Sequence, residues 1–249
     1  MIAILISAGQ GLRMYPLTAN TPKCLIDIGK GKTVLENQID VLYESGIREI
    51  YIVAGYLIDQ VKAKVDGYYL KGLKIKIIHN PFYATSNNIV SVWLASLAVN
   101  SECITINGDD LFKLSVINSL MSSKGDIVMA TSIKKDYDSD DMLVFQENNQ
   151  VYSVGKDLDK NKANGESAGI IKYTLLGLSI LRETLDEMMK DSENHQKFYL
   201  LALQKIMNRG VPINSCNVDF NDWAEIDFHP DVKDVRSKVD FFVNKIHSE

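Results

Sequence analysis

The sequence predicts an α/β fold built on a doubly wound, mostly parallel sheet with a small antiparallel annex or lid. Up to about residue 133, short apolar segments rich in β-branched residues alternate with amphipathic helical segments. From about residue 140 to 175, short β-like pieces separated by polar turns predict antiparallel strands instead. The chain shows no internal repeat and no long linker, so we expect one domain, residues 1–249, with the annex embedded at 140–175.

The elements of the first half follow from hydrophobic periodicity. Met1 to Ile6 is almost entirely apolar, as expected for a strand buried on both faces of a parallel sheet. Thr33 to Ser45 has apolar residues at helical spacing and is followed by Gly46, which predicts a helix that ends there. The alternation continues through a strand at "EIYIVAG", a helix from Leu57 to Val65, a strand at "LKIKIIHN", a helix at "NNIVSVWLASLAV", a strand at "ECITINGDD", a helix at "INSLMS" and a strand at "DIVMATSI".

The second half begins with the three pieces of the annex, "DMLVFQ", "QVYSVGK" and "SAGIIKYT". Helical spacing then returns at about residues 176–190 and 198–208. A strand at "INSCNV", an extended stretch at "DWAEID" and a terminal helix at about 231–246 complete the predicted order.

Composition and charge exclude several classes of protein. The net charge of −5 and the pI of about 5.5 argue against a general binder of nucleic acid or membrane surfaces, which needs a basic face. Cys24, Cys103 and Cys216 are too few and too far apart for a disulfide framework or a zinc site. No apolar run approaches the roughly 20 residues of a transmembrane helix, so we expect a cytoplasmic protein that binds neither nucleic acid nor membrane.

A loop of small residues follows the first strand. In Ser7 to Arg13, the residues Ala8, Gly9 and Gly11 let backbone N–H groups approach an anion closely. Ligands of open α/β sheets bind at the carboxyl ends of the strands, where this loop lies. The pattern therefore predicts an anion-binding loop, and the alternative is a plain turn.

Two better-known phosphate motifs do not fit this region. A dinucleotide fingerprint needs a third glycine where this chain has Met14. A P-loop at "GKGKT", residues 29–33, needs a glycine where this chain has Ile26, and no strand leads directly into it. We expect "GKGK" to be a hairpin or turn.

Acidic residues follow the strand at "ECITIN" and recur near the end of the chain. Asp109 and Asp110 lie where a parallel strand points into the ligand crevice, and their oxygens are ligands that Mg²⁺ prefers. In an extended "DWAEID", Glu225 and Asp227 point to the same side and could complete such a site. The alternatives are a solvated turn and an ordinary surface pair, and the choice between Asp109 and Asp110 as ligand stays open.

The stretch "NPFYATSNN" offers a possible site for a planar base. Tyr83 supplies a ring for stacking, and the side-chain amides of Asn87 and Asn88 supply hydrogen-bond donors and acceptors. Ordinary capping of the following helix is the alternative interpretation.

Together the glycine loop and the basic residues after it resemble a known signature. The nucleotidyltransferase superfamily of sugar-phosphate pyrophosphorylases has L-A-A-G-x-G-x-R, then P-L-T, then P-K. Here the signature stands as Leu5 to Arg13, Pro16-Leu17-Thr18 and Pro22-Lys23, with Ser7 in place of a common alanine. The resemblance implies a nucleotide-diphospho-sugar transferase-like, Rossmann-like fold.

Within this superfamily the chain is most similar to the small cytidylyltransferases that act on phosphocholine, 2-aminoethylphosphonate or inositol-1-phosphate. The similar stretches are "NNIVS" at 87–91, "GESAGI" at 165–170 and "EID" at 225–227. The resemblance implies a Mg²⁺-dependent transfer of CMP from CTP to a small phosphate or phosphonate acceptor, with release of pyrophosphate. It also implies a homodimer and a role in modifying cell-surface polysaccharide.

The resemblance also implies roles for particular residues. Arg13 would hold the phosphates that leave as pyrophosphate, and Lys23 would reach the α-phosphate. The remaining roles are nucleotide binding for Ala8, Gly9, Gly11, Tyr83, Asn87 and Asn88, metal binding for Asp109 and Asp227, and acceptor binding for Lys156 and Glu166.

The acceptor and two rival functions stay open at this point. Candidates for an aromatic cage around an ammonium group are Tyr83, Trp93, Tyr173 and Trp223. We expect Trp93 in the core and favour Trp223, and Glu166 or Asp222 could pair the ammonium. One rival is a sugar-1-phosphate nucleotidylyltransferase that uses UTP, dTTP or CTP. The other is a non-catalytic nucleotide-binding regulator on the same fold.

Overall fold

The computed structural model describes residues 1–243 and is built around a nine-stranded sheet. The strands are β1 (Ile2–Ser7), β2 (Asp27–Gly29), β3 (Lys32–Thr33), β4 (Glu49–Ala54), β5 (Lys74–His79), β6 (Cys103–Asn107), β7 (Asp110–Phe112), β8 (Ile127–Ser132), β9 (Leu143–Glu147), β10 (Gln150–Gly155), β11 (Gly165–Tyr173), β12 (Ile213–Val218) and β13 (Trp223–Glu225). The α-helices are α1 (Val34–Glu44), α2 (Ile58–Asp66), α3 (Asn88–Ala98), α4 (Leu114–Ser122), α5 (Leu175–Met189), α6 (Leu200–Asn208), α7 (His229–Ser237) and α8 (Val239–Phe242).

Helices cover both faces of the sheet, which confirms the doubly wound α/β fold. On β1, Ile2 and Ile4 belong to a core cluster that includes residues of α3, α5 and α6. Ala3 and Leu5 belong to a second cluster that includes residues of α1, α2 and α4. Because neighbouring side chains on a strand point to opposite faces, the two clusters lie on opposite sides of the sheet.

The order of strands in the sheet is β5-β4-β1-β6-β11-β8-β12-β10-β9. The strands β5, β4, β1 and β6 are parallel, and β8 pairs with β12 in parallel. The strand β11 runs antiparallel to both of its neighbours, β6 and β8.

The annex differs from its prediction in position. Its three pieces are strands with antiparallel pairing, as predicted, but they belong to the main sheet and form no separate layer. The strand β11 lies near the middle of the sheet, and eight of its nine residues are buried. An apolar segment of this kind is stabilised by burial on both faces, whereas β9 and β10 extend one edge.

The segment before α1 confirms one local prediction and shows how the helix begins. The strands β2 and β3 form a hairpin around "GKGK", which confirms the turn predicted there. The helix α1 begins with a capping box, in which Thr33 Oγ1 accepts from Glu36 N while Glu36 Oε2 accepts from Thr33 N.

Near its C-terminus the chain pairs with the segment that follows β6. The antiparallel pair β7–β13 places Glu225 opposite Asp110. The terminal helix predicted at 231–246 is divided into α7 and α8, and residues 244–246 lie outside the described residues. Among residues 1–243, no helix has the length and apolar character needed to cross a membrane.

Candidate active site

One cavity of about 490 Å³ collects the predicted site residues. It opens where the chain leaves β1 and β6, at the carboxyl ends of these strands, as expected for an open α/β sheet. The residues to which the resemblance gives roles line it, and so does Trp223; together they are Ala8, Gly9, Gly11, Arg13, Lys23, Tyr83, Asn87, Asn88, Asp109, Lys156, Glu166, Trp223 and Asp227. The spacing of motifs along the sequence therefore corresponds to one place in the fold.

The glycine loop folds back on the segment that carries Lys23. Gly11 has φ of +61°, and a Cβ there would lie 3.0 Å from Thr18 Cγ2 and 3.2 Å from Lys23 Cβ. The hydroxyl of Thr18 donates to the carbonyl of Gly11 at 2.8 Å. A left-handed backbone and a close neighbour together require glycine at this position.

Lys23 lies between two carboxylates from distant parts of the chain. Its Nζ is 2.5 Å from Asp109 Oδ2 and 2.6 Å from Asp227 Oδ1. Burial lowers the pKa of Lys23, but the charges and hydrogen bonds of Asp109 and Asp227 outweigh burial and raise the pKa above its ordinary value. The lysine is therefore a fixed positive charge at neutral pH.

Arg13 extends the same network toward solvent. Its Nη2 is 2.7 Å from Asp227 Oδ2, and its Nη1 is 3.6 Å from Asp140 Oδ1. The guanidinium carbon lies 5.2 Å from the ring centroid of Phe228, and about half of the side chain is exposed. Arg13 thus presents a planar, partly solvated group at the cavity mouth, suited to phosphate oxygens.

Three carboxylates form a cluster that could hold a metal ion. Oxygen atoms of Asp109, Glu225 and Asp227 lie within 4.8 Å of one another. Burial raises the pKa of Glu225, with Asp109 and Asp227 adding to the shift, whereas Lys23 and Arg13 help to lower the pKa of Asp227 against the effect of burial. This donor set, all oxygen and anionic, fits a hard divalent cation such as Mg²⁺.

Asp110 is not part of this cluster. It is 1% exposed, and neither of its carboxylate oxygens has a hydrogen-bond partner. Burial, followed by the nearby charge of Asp109, raises the pKa of Asp110 well above its ordinary value. Of the two adjacent aspartates, the geometry favours Asp109 as the metal ligand.

The residues predicted to meet the base are held by the protein itself. Asn87 caps α3, and its Oδ1 accepts from Asn88 N at 2.7 Å, as the capping interpretation predicts. Asn88 Oδ1 accepts from Tyr199 N at 2.9 Å. Tyr83 packs so closely on Gly55 that a Cβ there would lie 2.6 Å from Tyr83 Cβ. These contacts fix the side chains at the cavity wall.

The predicted acceptor end of the cavity contains an ion-pair network around the buried Glu166. Lys134 Nζ lies 2.9 Å from Glu166 Oε2 and 2.7 Å from Asp141 Oδ2. Burial raises the pKa of Glu166 to about 7, although Lys134 opposes the shift. Lys156 lies 3.3 Å from Asp140 Oδ1, with its Nζ 5.3 Å from the ring centroid of Phe198.

Of the remaining candidates for an ammonium site, Trp223 lies in the cavity, whereas Tyr173 and Asp222 do not. Trp223 lines the cavity, and its buried Nε1 has no hydrogen-bond partner. Tyr173 is 0% exposed in the core, and Asp222 is bound to Lys113 and Ser115. The hypotheses that Tyr173 and Asp222 contact an acceptor are therefore wrong, because neither side chain lines the cavity.

Three charged residues near Glu166 and Lys156 were not predicted from the sequence. Lys134, Asp140 and Asp141 come from the polar segment "KKDYDSDD", which looks like a solvated loop. Its position directly after the buried strand β8 was the available signal, because strand ends in this fold point toward the cavity.

Comparisons with known proteins identify a family and several relatives that this chain resembles. The model of the family described as Nucleotidyl transferase matches residues 2–141. CTP:phosphoglutamine cytidylyltransferase of Campylobacter jejuni is 26% identical over 94% of this chain and 98% of its own length. Choline-phosphate cytidylyltransferase of Streptococcus pneumoniae is 34% identical over 49% of this chain, and the match spans about half of that relative, 51%. The inositol-1-phosphate CTP transferase structure from T. maritima superposes with a TM-score of 0.79 at 21% identity, covering 98% of this chain and 97% of that chain, which shows a shared fold.

Proposed function

Since the chain belongs to the Nucleotidyl transferase family, we propose that it transfers CMP from CTP to a small phosphate or phosphonate acceptor. The observation that carries the proposal is the gathering of Arg13, Lys23 and the carboxylate cluster around one cavity. The full-length similarity to a relative named as a cytidylyltransferase supports CTP as the donor. Phosphocholine and 2-aminoethylphosphonate are the acceptors we propose to test first.

The reaction is an in-line displacement at the α-phosphorus. An acceptor oxygen forms a bond to the α-phosphorus while the bond to the bridging oxygen of the leaving group breaks, and that electron pair leaves with pyrophosphate. The acceptor dianion is nucleophilic at neutral pH, so no general base is needed. Among residues 1–243, no histidine lines the cavity, which agrees with this mechanism.

The chain's own residues act by positioning and by charge. Lys23 binds the α-phosphate, where negative charge builds up around the reacting centre. Arg13 binds the β- and γ-phosphates through its planar guanidinium. The backbone at Ala8, Gly9 and Gly11 approaches the triphosphate, which the small size of the residues at these three positions permits.

We propose that Asp109 and Asp227 hold Mg²⁺, with Glu225 beside them. The fit rests on the mutual distance of their oxygens and on the anionic character of the set. When bound, Mg²⁺ supplies charge neutralisation at the triphosphate. Asp109 and Asp227 would hold the ion beside the phosphates, and Lys23 and Arg13 would neutralise part of the negative charge of the phosphates.

A panel of donors and acceptors tests the proposal. Purified protein with Mg²⁺ receives CTP, UTP or dTTP, each with phosphocholine, 2-aminoethylphosphonate, inositol-1-phosphate or glucose-1-phosphate, and pyrophosphate release is measured. We expect release with CTP and an amine-bearing acceptor. A preference for UTP or dTTP with the hexose phosphate would contradict the proposal in favour of a sugar nucleotidylyltransferase. Binding of CTP without release across the panel would favour a regulator.

A second test compares a variant that disables the carboxylate cluster with a matched control. Asp109→Asn preserves shape but removes one anionic ligand, so release with CTP should fall close to background. The exposed Asp59→Asn changes the same charge at a site outside the cavity and should leave release unchanged.

A further inference from the structure

The ammonium group of Lys23 lies between the carboxylates that would hold a cation. Its Nζ contacts Asp109 at 2.5 Å and Asp227 at 2.6 Å, and its side chain is only 15% exposed. All three carboxylates of the cluster bring oxygens within 4.8 Å of one another. One positive charge, that of Lys23, is therefore seated among the carboxylates that would bind the cation.

Arg13 adds a second positive charge beside the same carboxylates. Because its Nη2 is 2.7 Å from Asp227 Oδ2, both oxygens of Asp227 have cationic partners. A divalent cation entering alone would meet the like charge of Lys23 in a largely buried space, where Coulomb repulsion is stronger than in water. It would also have to break charge-assisted hydrogen bonds that Lys23 and Arg13 make with its own ligands.

A nucleoside triphosphate changes this balance. Its phosphates offer Lys23 and Arg13 new anionic partners, and they bring negative charge that a divalent cation then neutralises. The side chains of Lys23 and Arg13 both line the cavity beside the glycine loop, within reach of a ligand bound there. Asp109 and Asp227 then lose their contacts with Lys23 and Arg13 and can bind the metal ion together with the nucleotide.

We infer that Lys23 acts as a resident cation that excludes free divalent metal, so that this site takes metal together with a nucleoside triphosphate. The inference rests on the proposed function, in which Lys23 binds the α-phosphate and Asp109 and Asp227 bind the metal. It adds an order to the assembly: metal affinity is low without nucleotide and rises when nucleotide draws Lys23 away.

The experiment measures binding of free Mn²⁺ to nucleotide-free protein by electron paramagnetic resonance. Lys23→Met removes the charge and keeps an unbranched side chain, and it should bind Mn²⁺ at least about tenfold more tightly than the wild type. Lys76→Met is the matched control. It removes the same charge on the edge strand β5, where Lys76 pairs with Glu49, and should bind Mn²⁺ like the wild type.

A second arm uses wild-type protein alone, so it stands even if Lys23→Met fails to fold. Mn²⁺ binding is measured with and without CTP, in the absence of acceptor, and the signal of Mn²⁺–CTP without protein is subtracted. CTP should raise the affinity of wild-type protein for Mn²⁺ at least about tenfold, and by less in Lys23→Met.

Two results would overturn the inference. One is equal affinity of wild-type protein and folded Lys23→Met for free Mn²⁺, and the other is wild-type binding of Mn²⁺ that CTP does not strengthen although CTP binds. Neither result depends on turnover. Absence of pyrophosphate release with every acceptor would overturn the proposed function and leave the nucleotide-free arm to be judged by itself.

Discussion

Gly169 covers the buried carboxylate of Asp110 so closely that no side chain fits between them. A Cβ on Gly169 would lie 2.3 Å from Asp110 Oδ2 and 2.3 Å from Asn107 Nδ2, and φ of Gly169 is +68°. Gly169 lies within the irregular part of β11, between Ser167 and Ile171, where the strand shifts register against β8. Gly169 thus lets β11 pass over the polar floor of the cavity.

We predict that Gly169→Ala destabilises the protein and lowers turnover, because Asp110 and Asn107 must move. Gly31→Ala is the matched control, since Gly31 has a similar φ of +71° but no atom within 4 Å of a Cβ. The control should show only the backbone strain, about 1–2 kcal/mol. Thermal denaturation and turnover with CTP compare the two. Equal losses of Tm in both variants would contradict a role for the close contact.

Lys23→Ala should lower kcat by about 10²- to 10³-fold, because a transition-state charge donor is lost. The measurement is pyrophosphate release at saturating CTP and acceptor, with circular dichroism to confirm that the variant folds. Lys76→Ala, at the far edge of the sheet, should leave kcat unchanged. Unchanged turnover in folded Lys23→Ala would remove the lysine from the mechanism.

Lys156→Met should raise the KM for the acceptor about tenfold or more while leaving the KM for CTP nearly unchanged. Lys156 lies beside Asp140 and Phe198 at the acceptor end, and a methionine retains most of the side chain's apolar stem. Initial rates with each substrate varied in turn measure the two constants. A rise confined to the KM for CTP would place Lys156 at the donor instead.

Glu166 makes stability depend on pH in a definite direction. Its pKa is raised by burial to about 7, from an ordinary value of 4.5, so the folded protein binds a proton that the unfolded chain has lost in this interval. This contribution to stability is present in full below about pH 4.5 and is lost as pH rises through about 7.

The Tm of Glu166→Gln should therefore fall less than the Tm of the wild type when the pH is raised from about 5 to about 7.5. The charged neighbours that face this group, Lys134 and Asp141, are unchanged in the variant. Glu183→Gln, on the exposed side of α5, is the control and should keep the wild-type pH dependence. A steeper loss in Glu166→Gln would show the opposite sign of the shift.

The sequence predicted that Gly11, Arg13 and Lys23 would lie together because they belong to a short, ordered motif. Gly11, Arg13 and Lys23 belong to one loop after β1, so their spacing alone places them near one another. Asp109 and Asp227 were found through the tendency of strand ends to meet at one edge of a sheet.

The acceptor half could not be predicted to the same degree. The apolar run of β11 is as consistent with an annex as with the centre of the sheet, since periodicity does not determine which strands become neighbours. The ion pairs of Lys134 with Asp141 and Glu166 join two segments through tertiary packing. Likewise, only the structure shows Lys23 seated between the carboxylates of Asp109 and Asp227.

The central claim is transfer of a nucleotidyl group at the α-phosphorus of CTP. The most direct measurement is ³¹P NMR of a reaction that contains the protein, Mg²⁺, CTP and 2-aminoethylphosphonate or phosphocholine. The account predicts a new pair of coupled resonances from CMP joined to the acceptor, together with an equal amount of pyrophosphate. Formation of CDP with inorganic phosphate, or an unchanged CTP spectrum with both acceptors, would contradict it.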